Sequence, residues 1–418
     1  MKISMVSEHA SPLAAPGSVD AGGQNVHVAA LSLALARRGH EVTVFTRRDD
    51  PELPVRVPLG DGVEVVHVDA GPATHVPKDE LLPYMDDLAR GMAAAWADDP
   101  PQVVHAHFWM SGIAALAAAE LGASPAPPVV QTFHALGTVK RRHQGAADTS
   151  PAARAWLEPH VARTVSGVIA SCSDEAFELR SMGVPSQNIS IAPCGVDIDA
   201  FSPDGPAEPR DLPHRIVSIG RLVPRKGVDL VILALGILAA QGMDDVELVV
   251  AGSAEGPAAR DPEIARLRQI ARGCGVEDRV IFRGPVARDS VPALLRSADA
   301  VVCTPWYEPF GIVPLEAMAC GVPVVAAAVG GLIDTVIDGV TGMHVPPRNA
   351  QAVAEALAEL IADDRIGARM GAAGRDRVES RYTWDRVAAQ VEHAYIEALA
   401  PGALAGPMTG PSTEWALR

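Results

Sequence analysis

Short apolar runs alternate with helix-like segments along most of the chain, and this alternation restricts the fold more than any other feature. In the first half, VVHAHF (103–108) and VVQTF (129–133) have the pattern of buried strands. In the second half, VELVVAG (246–252) and VPVVAA (322–327) have the same pattern. Strands that are apolar on both faces are typical of a parallel sheet covered by helices on both sides. The pattern therefore predicts an α/β protein of doubly wound, Rossmann-like design.

The alternation is interrupted once, at CGVDIDAFSPDGPAEPRDLP (194–213), whose Pro, Gly and Asp content is typical of a linker. At 418 residues the chain is also too long for one typical core. We therefore expect an N-terminal domain over 1–195, a linker over 196–213, a second domain over 214–383, a C-terminal helix over 384–400 that packs back on the first domain, and a mobile tail over 401–418. Ligands are expected at the carboxyl ends of both sheets, in a cleft between the domains.

Charge and cysteine content argue against several classes of protein. The formal net charge of -16 disfavours a nucleic-acid partner or attraction to an anionic membrane, so an anionic ligand would need local cations. The five scattered cysteines include no CxxC pair and indicate reduced core residues. The N-terminal MKISMVS has no signal-peptide pattern, and no apolar run reaches membrane-spanning length. We therefore expect a cytoplasmic protein with no membrane span.

Two carboxylates lie at the start of a predicted helix in the second domain. In EPFGIVPLE, Glu308 falls in the loop before the helix and Glu316 near its first turn, so both can face one ligand. The free N–H groups of a helix N-terminus suit an anion, whereas carboxylates accept hydrogen bonds from hydroxyls. A nucleotide sugar has both kinds of group. The spacing alone, however, favours an ordinary strand–loop–helix with acids at a helix start.

Two strand-to-helix loops can hold phosphate. Arg221 and Lys226 follow the first strand of the second domain, where cations can neutralise a diphosphate leaving group, although a solvated basic loop is the alternative. Gly22 and Gly23 follow the first strand of the chain, where glycines allow close approach of the backbone to a phosphate or simply form a tight turn. Neither GxGxxG nor GxxxxGK occurs, so the dinucleotide and P-loop interpretations lack their motif.

His134 ends a predicted strand at the ligand edge of the first domain. A lone histidine is more often structural than catalytic, and His105 and His107 are competing candidates. Strand alternation puts His105 and His107 on one face, with no acid or Cys at ligand spacing, which argues against zinc. Asp197 and Asp199 form a DxD sequence that resembles a metal–nucleotide motif, but its place in the linker indicates turn chemistry. We therefore predict no metal site.

Together these motifs resemble the retaining glycosyltransferases of family 4, over roughly residues 1–400. The most specific match is the E-x7-E signature formed by Glu308 and Glu316. A second match is the glycine-flanked pair Arg221 and Lys226, and GVDxxxF at 195–201 supports both. The resemblance implies the GT-B fold, in which two doubly wound, Rossmann-like domains face each other across a cleft.

The resemblance also implies roles for individual residues. Glu316 would bind the ribose hydroxyls, and Arg221 and Lys226 would hold the donor diphosphate, with Gly23 close to it. Glu308 and the backbone of Phe310, Gly311 and Ile312 would hold the donor sugar, and the base would lie near Gly284 to Arg288. His134 would lie against the sugar at the reacting carbon. No metal or other cofactor would be needed, since Arg221 and Lys226 supply the positive charge.

Within the family, DAGGQNVHV and TFHALGTVKRRH are similar to two groups: the inositol-phosphate N-acetylglucosaminyltransferases of mycothiol synthesis, and the sucrose and sucrose-phosphate synthases. In the first group an Asn, a Lys, a Tyr, a Thr and an Arg hold the acceptor phosphate. The corresponding residues here are Asn25, Lys78, Phe108, Ala135 and Arg154. Two hydroxyl ligands are therefore missing, which argues against a phosphorylated inositol. Ordinary surface charge explains Lys78 and Arg154 about as well as anion binding does. A basic run such as 140–143 is more often a solvated loop, although it could bind an anion other than inositol phosphate.

The sequence thus predicts a cytoplasmic, metal-independent, retaining hexosyltransferase. It would use a nucleoside-diphosphate sugar, expected to be UDP-linked, and a polyol or sugar acceptor, with a homodimer as an open option. The alternatives are a nucleotide-sugar epimerase of the same fold and sucrose-synthase-like transfer to fructose. A silent binding protein is disfavoured because it has no need of Glu308, Glu316, Arg221 and Lys226 together. A pyridoxal-dependent phosphorylase is weaker still, because the chain is short and no lysine is suitably placed.

Overall fold

The computed structural model describes residues 1–14, 22–122, 125–252 and 261–400. The predicted tail (401–418), together with Asp20 and Ala21 of the Gly-rich loop, lies outside the described residues. The chain forms two compact units. One comprises Met1–Pro193 and the segment that starts at Val387, and the other comprises Cys194–Arg386. No helix within the described ranges combines the length and the apolar character that a membrane crossing requires.

The first unit is built on an eight-stranded sheet. Its strands are β1 (Lys2–Val6), β2 (Glu41–Arg47), β3 (Arg56–Gly60), β4 (Val63–Val68), β5 (Val103–His107), β6 (Val129–Thr132), β7 (Gly167–Ala170) and β8 (Ile189–Ile191). They lie in the order β3-β4-β2-β1-β5-β6-β7-β8. All neighbouring pairs are parallel except the edge hairpin of β3 and β4. Strand β5 is buried along its whole length, as expected for a strand covered on both faces.

Helices cover both faces of this sheet. They are α1 (Gly23–Arg37), α2 (Met85–Trp96), α3 (Trp109–Leu121), α4 (Gly137–Gln144), α5 (Arg154–Thr164) and α6 (Ser173–Ser181). Helix α2 is amphipathic and buries Leu88, Met92 and Trp96. The Trp96 ring meets Phe45 of β2 edge to face, with the ring centroids 6.1 Å apart. Helix α3 is apolar nearly all round because it also packs on α2 and α5.

The second unit has a six-stranded sheet in which every pair is parallel. Its strands are β9 (His214–Ile219), β10 (Val246–Ala251), β11 (Val280–Gly284), β12 (Ala300–Cys303), β13 (Val324–Ala327) and β14 (Gly342–Val345), in the order β11-β10-β9-β12-β13-β14. Its helices are α7 (Val228–Ala240), α8 (Pro262–Gly273), α9 (Val291–Arg296), α10 (Ile312–Ala319), α11 (Gly331–Thr335), α12 (Ala350–Ala362) and α13 (Asp364–Arg381). The buried strands β10 and β13 confirm the predicted parallel, two-sided sheet.

The last described helix, α14 (Trp384–Leu399), continues into the first unit from Val387 onward. There Arg38, just after α1, donates to the Glu392 carboxylate at 2.8 Å. The fully buried Tyr395 lies next to β5, with its hydroxyl 2.7 Å from Nδ1 of His105. Helix α14 is therefore an integral part of the first unit's core.

The strand orders create one switch point in each sheet. In the first unit β1 pairs with both β2 and β5, and in the second unit β9 pairs with both β10 and β12. In each sheet the earlier strands are added on one side of the switch point and the later strands on the other. The loops after β1 and β5, and those after β9 and β12, therefore diverge at the carboxyl edge. A crevice at such a position is where open α/β sheets bind ligands.

Sequence patterns did not identify six of these elements: β3, β8, β14, α4, α9 and α11. The three strands lie at or near a sheet edge and are short or mixed in polarity, so their pairing partners determine their conformation more than their own composition. The three helices have eight residues or fewer, which is too short for a clear helical period.

Gly227 makes possible the close approach of two switch-point loops, and this approach can be tested. Its φ is +69°, and an added Cβ would lie 2.0 Å from the Thr304 carbonyl oxygen. Gly275 has the same φ of +69°, but nothing lies within 4 Å of the corresponding position. We predict that Gly275→Ala costs about 1 kcal/mol of stability through backbone strain. Gly227→Ala should cost roughly 2 kcal/mol more because the loops must separate. Thermal unfolding of both variants measures the difference, and equal losses would contradict the close approach.

Candidate active site

Two loops of the second unit are held together at its switch point. The β9–α7 loop and the β12–α10 loop exchange a hydrogen bond from Trp306 N to Arg225 O at 2.8 Å. A second bond runs from Thr304 Oγ1 to Gly227 O at 2.9 Å. Parallel pairing of β9 and β12 places the starts of these loops side by side, and the two bonds keep them together. Side chains from both loops therefore share one small region at the carboxyl edge.

Lys226 and Glu308, from these two loops, form an ion pair in that region. Burial raises the pKa of the Glu308 carboxyl, but the charge and hydrogen bond of Lys226, the nearby Arg225 and the Phe310 amide outweigh burial and lower it overall. Arg221 is exposed on the same loop as Lys226, and its guanidinium has no hydrogen-bond or ion-pair partner within the described ranges. The predicted diphosphate cations thus lie in one loop, one paired and one open to a ligand.

Glu316 and Arg288 form a second ion pair on this side. The Arg288 guanidinium also lies over the Phe201 ring, 4.6 Å from its centroid. Burial raises the pKa of the Glu316 carboxyl, and the single charge of Arg288 lowers it by less, so the net pKa is raised. The two acids of the E-x7-E signature therefore have different cationic partners and opposite pKa shifts.

Helix α10 connects these two acids. Gly311, with a φ of +75°, is its N-cap and supplies no side-chain cap, so the first N–H groups of Ile312 and Val313 keep their capacity to donate. Glu316 is the fifth helical residue, just past the first turn, near where the sequence suggested. The Glu308 carbonyl accepts from Gly331 N at 2.8 Å, which fixes the loop before the helix. Phe310, Gly311 and Ile312 thus present backbone groups beside the Lys226–Glu308 pair.

In the first unit, the glycine loop leads directly into α1. Gly22 is the N-cap and Gly23 the first helical residue. Asn25 accepts from Gly22 N at 2.9 Å and donates to Ser11 O at 2.9 Å. Gln24 donates to His107 O at 3.3 Å and to Ser7 Oγ at 3.1 Å, and so links the ends of β1 and β5. Asn25 therefore organises the loop, and its amide is already used in two hydrogen bonds.

Phe108 and His134 have unusual backbone conformations at the ends of neighbouring strands. Their φ angles are +82° and +62°, in the left-handed region that non-glycine residues seldom adopt. Phe108 directly follows β5 and forms the N-cap of α3, and His134 lies two residues beyond β6. Such strain persists only where surrounding contacts impose it, and it is common at functional sites. Both were selected from the sequence for other reasons.

Four histidines lie together behind this edge: His27, His105, His107 and His134. Their rings are buried, and the closest pair, His105 and His107, has centroids 4.1 Å apart on one face of β5, as strand alternation predicted. Burial lowers the pKa of His27 to about 4 and that of His105 to about 3. Burial and the neighbouring histidines hold the pKa values of His107 and His134 well below the ordinary range. All four rings are therefore neutral at pH 7.

Arg154 belongs to a buried network beside His134. It forms an ion pair with Glu158 at 2.8 Å, one helical turn away in α5, and donates to the Ala135 carbonyl. Glu158 also accepts from Gly137 N, the first residue of α4, at 2.7 Å. The guanidinium lies 5.0 Å from the centroid of the Phe108 ring. Phe108, Ala135 and Arg154 are thus brought together, whereas the side-chain amide of Asn25 bonds within its own loop.

The basic run expected to be a solvated loop is instead helix α4, and its cations are paired. Lys140 lies 3.0 Å from Asp148, and Arg142 lies 2.6 Å from Glu178. Glu158 stabilises the start of α4 through the Gly137 amide, which explains a helix that local sequence does not favour. Lys78 begins a short 3-10 helix (Lys78–Glu80) and is half-buried.

Sequence reasoning missed Glu8 and Glu158. The i,i+4 spacing of Arg154 and Glu158 in a helical pattern is a local signal that could have identified Glu158. Glu8 follows β1, lies 2.8 Å from His9 through its carboxylate and accepts from Ser111 of α3. His9 packs edge-on against Phe108, with ring centroids 4.9 Å apart. Only the folded chain brings these residues together.

Metal binding was considered for the histidine group and for Asp197. In the part of the chain that the structure describes, no group of three or more His, Cys, Asp or Glu side chains is arranged to hold a metal ion. Asp197 instead accepts from the backbone N–H groups of Asp199 and Ala200, both at 3.0 Å. This is the turn geometry that its place in the linker sequence predicted.

The chain is similar in sequence to known proteins. Residues 21–200 match the model of Glycosyltransferase Family 4, and residues 207–377 match Glycosyl transferases group 1. A D-inositol 3-phosphate glycosyltransferase of Xylanimonas cellulosilytica is 38% identical over 95% of this chain and 97% of its own length. The chain belongs to glycosyltransferase family 4. A second such relative, from Mycobacteroides abscessus, is 35% identical to this family 4 glycosyltransferase over 100% of the chain and 93% of its own.

Solved structures agree with this membership. Sucrose-phosphate synthase from Thermosynechococcus elongatus superposes on this family 4 glycosyltransferase with a TM-score of 0.84, at 29% identity, covering 95% of this chain and 98% of that one. Anabaena HepE in complex with UDP and glucose gives a TM-score of 0.71 at 21% identity, covering 94% and 98%. The two Rossmann-like sheets are those of the GT-B fold, as the sequence predicted.

The buried histidines make the first unit of this glycosyltransferase sensitive to acid. Because the unfolded chain binds protons near pH 6.5 that the folded chain does not, stability falls as the pH drops from 6.5 toward 4. For His27 alone the loss at pH 5 is about 2 kcal/mol. We predict a lower unfolding temperature at pH 5 than at pH 7.5, and a smaller drop in His27→Gln. The exposed control His393→Gln should behave as wild type, and an unchanged drop in His27→Gln would contradict the buried neutral state.

Proposed function

We propose that this protein transfers a hexosyl group from a UDP-sugar to a neutral polyol or sugar, with retention of anomeric configuration and without a metal ion. The observation that carries the proposal is the pairing of Lys226 with Glu308 beside the open cation Arg221 at the switch point of the second sheet. Cations, carboxylates and backbone N–H groups on one loop pair suit a ligand with both a diphosphate and hydroxyls.

The diphosphate is the ligand part that most needs these cations. The whole chain carries a net charge of -16, so only local positive charge can attract a dianionic group. Arg221 and Lys226 supply it and stabilise the charge that develops on the leaving phosphate, a role that a bound metal ion has in other enzymes. When Lys226 turns to the phosphate, the oxygens of the Glu308 carboxylate become free to accept hydrogen bonds from the hydroxyls of the donor sugar.

The nucleoside is proposed to bind along the second ion pair. Glu316 accepts from the ribose hydroxyls, which compete with Arg288 for its carboxylate. The raised pKa of Glu316 reflects incomplete compensation of its burial, and hydroxyl donors improve that compensation. The family resemblance implies a base near Gly284 to Arg288, and we propose that position here. We expect UDP as the carrier because HepE, a protein of this fold, has been solved in complex with UDP and glucose and in complex with UDP-glucose.

A neutral acceptor is proposed from the first unit. Its curated relatives are named D-inositol 3-phosphate glycosyltransferases. In those enzymes the resemblance assigns a Tyr and a Thr to the positions of Phe108 and Ala135. Phe108 contributes an apolar ring to Arg154, and Ala135 contributes only its carbonyl. Neither side chain can donate a hydrogen bond to a phosphate.

The transfer is proposed to occur on one face of the sugar. The bond between the anomeric carbon and the leaving phosphate oxygen breaks, and the bond to the acceptor oxygen forms on the same face. The acceptor hydroxyl gives its proton to the leaving phosphate, so charges balance without a protein nucleophile. His134 is the first-unit residue to which the family resemblance assigns contact with the transferred sugar.

Thermal-shift screening of UDP-, GDP- and ADP-sugars, followed by product mass with inositol, fructose and their phosphates, tests this function. We expect stabilisation by a UDP-sugar and a product one hexosyl unit heavier than a neutral acceptor. Phe108→Tyr with Ala135→Thr should then raise the use of phosphorylated acceptors. Isomerisation of the donor without acceptor would instead identify an epimerase. Absence of any product with all donor and acceptor pairs would contradict the proposal.

The donor assignment predicts a selective loss of nucleotide binding in Lys226→Ala and in Glu316→Ala. Each removes a charge-assisted hydrogen bond worth roughly 1.5–3 kcal/mol, so UDP affinity should fall about 10- to 100-fold. The matched control is Lys2→Ala, which removes an exposed lysine paired with Asp99 in the other unit. Calorimetric titration with UDP measures the affinities, and the unfolding temperature confirms that the fold is kept. Wild-type UDP affinity in either site variant would contradict the assignment.

A further inference from the structure

The Arg288 guanidinium, in the loop after β11, is held by two different kinds of contact. It forms an ion pair with the Glu316 carboxylate, and it lies over the Phe201 ring at 4.6 Å from the ring centroid. A guanidinium is planar, with its N–H groups at the rim and an open face on each side, so the two contacts do not compete. Glu316 therefore occupies part of the rim, and Phe201 covers one face.

The other face of the Arg288 guanidinium is open. The Arg288 side chain is 40% exposed, whereas its partner Glu316 is 3% exposed and the Phe201 residue 1%. The exposed part of Arg288 therefore lies on the side away from both partners. Guanidinium planes stack on aromatic rings and on nucleic-acid bases. A second flat group can thus lie on the outer face while Phe201 stays beneath.

The backbone of Phe201 is fixed by hydrogen bonds within the second unit. Its N–H donates to the Asp197 carbonyl at 2.9 Å. Its carbonyl accepts from Nη1 of Arg375, in α13, at 2.7 Å. The same nitrogen donates to the carbonyls of Ile198 at 3.2 Å and Ala319 at 2.9 Å. Because Ala319 ends α10, these bonds tie Phe201 to the helix that carries one of the two acids of the signature.

The contact with Phe201 becomes more important when a nucleotide binds. In the proposed function the ribose hydroxyls compete with Arg288 for the Glu316 carboxylate. A long, partly exposed arginine that loses its ion pair regains rotamer freedom, and ordering it again costs affinity. The Phe201 ring does not take part in that exchange. It can therefore keep the guanidinium in place after the ribose has taken Glu316.

We propose that Phe201 is a positioning residue for the nucleoside, whose ring holds the Arg288 guanidinium so that its outer face serves as a stacking platform for the base. The inference rests on the proposed function, in which the base lies near Gly284 to Arg288. Stacking requires no hydrogen bond to the base edge, so the platform adds affinity for a nucleoside and leaves base selection to other contacts. Phe201, the last residue of GVDxxxF, thus has a role beyond the packing of the linker.

Calorimetric titration of the full-length protein with UDP and with inorganic diphosphate separates the nucleoside from the phosphates. Phe201→Leu keeps an apolar side chain but removes the aromatic face. We expect its UDP affinity to fall about 5- to 20-fold, while its affinity for inorganic diphosphate stays within about 2-fold of wild type. The matched control Phe45→Leu, which removes a buried ring in the first unit, should leave both affinities unchanged. Equal losses for the two ligands in Phe201→Leu, or an unchanged UDP affinity, would overturn the proposal.

A double-mutant cycle tests whether Phe201 acts through Arg288. In an Arg288→Ala background, Phe201→Leu should lower UDP affinity no further, and losses that multiply would contradict the coupling. Arg288→Lys keeps a positive charge beside Glu316 without the planar group, so it tests the platform even if Phe201→Leu proves unstable. We expect it to lose UDP affinity and keep that for inorganic diphosphate, and an undiminished UDP affinity would overturn the platform.

The two levels of the account fail in different ways. A wild-type protein that binds no nucleoside diphosphate would contradict the proposed function, and this inference with it. Wild-type binding of UDP together with multiplying losses in the cycle would contradict the inference alone.

Discussion

The central strand of each sheet pairs in parallel on both sides, and this pairing determines where chemistry can occur. Strand β1 lies between β2 and β5, and β9 lies between β10 and β12. In each sheet two loops must therefore diverge at the carboxyl edge, and these four loops carry the glycine turn, Phe108, Lys226 and Glu308. The pairing itself depends on strands buried on both faces, so the hydrophobic core and the site have one common origin.

The electrostatics around Glu308 and Glu316 depends on ion pairs between partly buried side chains. Glu308 and Glu316 belong to one short segment, yet their pKa values move in opposite directions. Glu308 has Lys226, Arg225 and a backbone amide against its burial, whereas Glu316 has Arg288 alone. Environments that separate the pKa values of two like groups are typical of sites with divided roles. We propose that the stabilised carboxylate of Glu308 binds the sugar and the less compensated one of Glu316 the ribose.

Much of the fold could be predicted because its central strands are apolar over their whole length. The edge strands β3, β8 and β14 could not, since neighbouring chain segments determine their conformation. Helix α4 depends on Glu158, which is 21 residues from the Gly137 amide that it accepts from. No local pattern contains such a contact.

The candidate site, like the fold, could be predicted from the sequence only in part. The motif residues Arg221, Lys226, Glu308 and Glu316 were selectable from spacing and from the family resemblance. Which residues pair was not: the bonds of Lys226 to Glu308, of Arg288 to Glu316 and of His107 to His134 join residues distant in sequence. Arg154 was chosen as an anion ligand from the resemblance, whereas the structure gives it a buried partner one turn away. The fold thus supplied the pairing that the motifs left open.

The most direct test of the account is a crystal structure of the protein with a UDP-sugar. The account predicts that the diphosphate lies within hydrogen-bond distance of Arg221 and Lys226, with the Glu316 carboxylate on the ribose hydroxyls. Lys226 should then have left Glu308 for the phosphate, and Glu308 should contact the donor sugar. A nucleotide bound away from the β9 and β12 loops, or one bound while Lys226 stays paired with Glu308 and Arg288 with Glu316, would contradict the central claim.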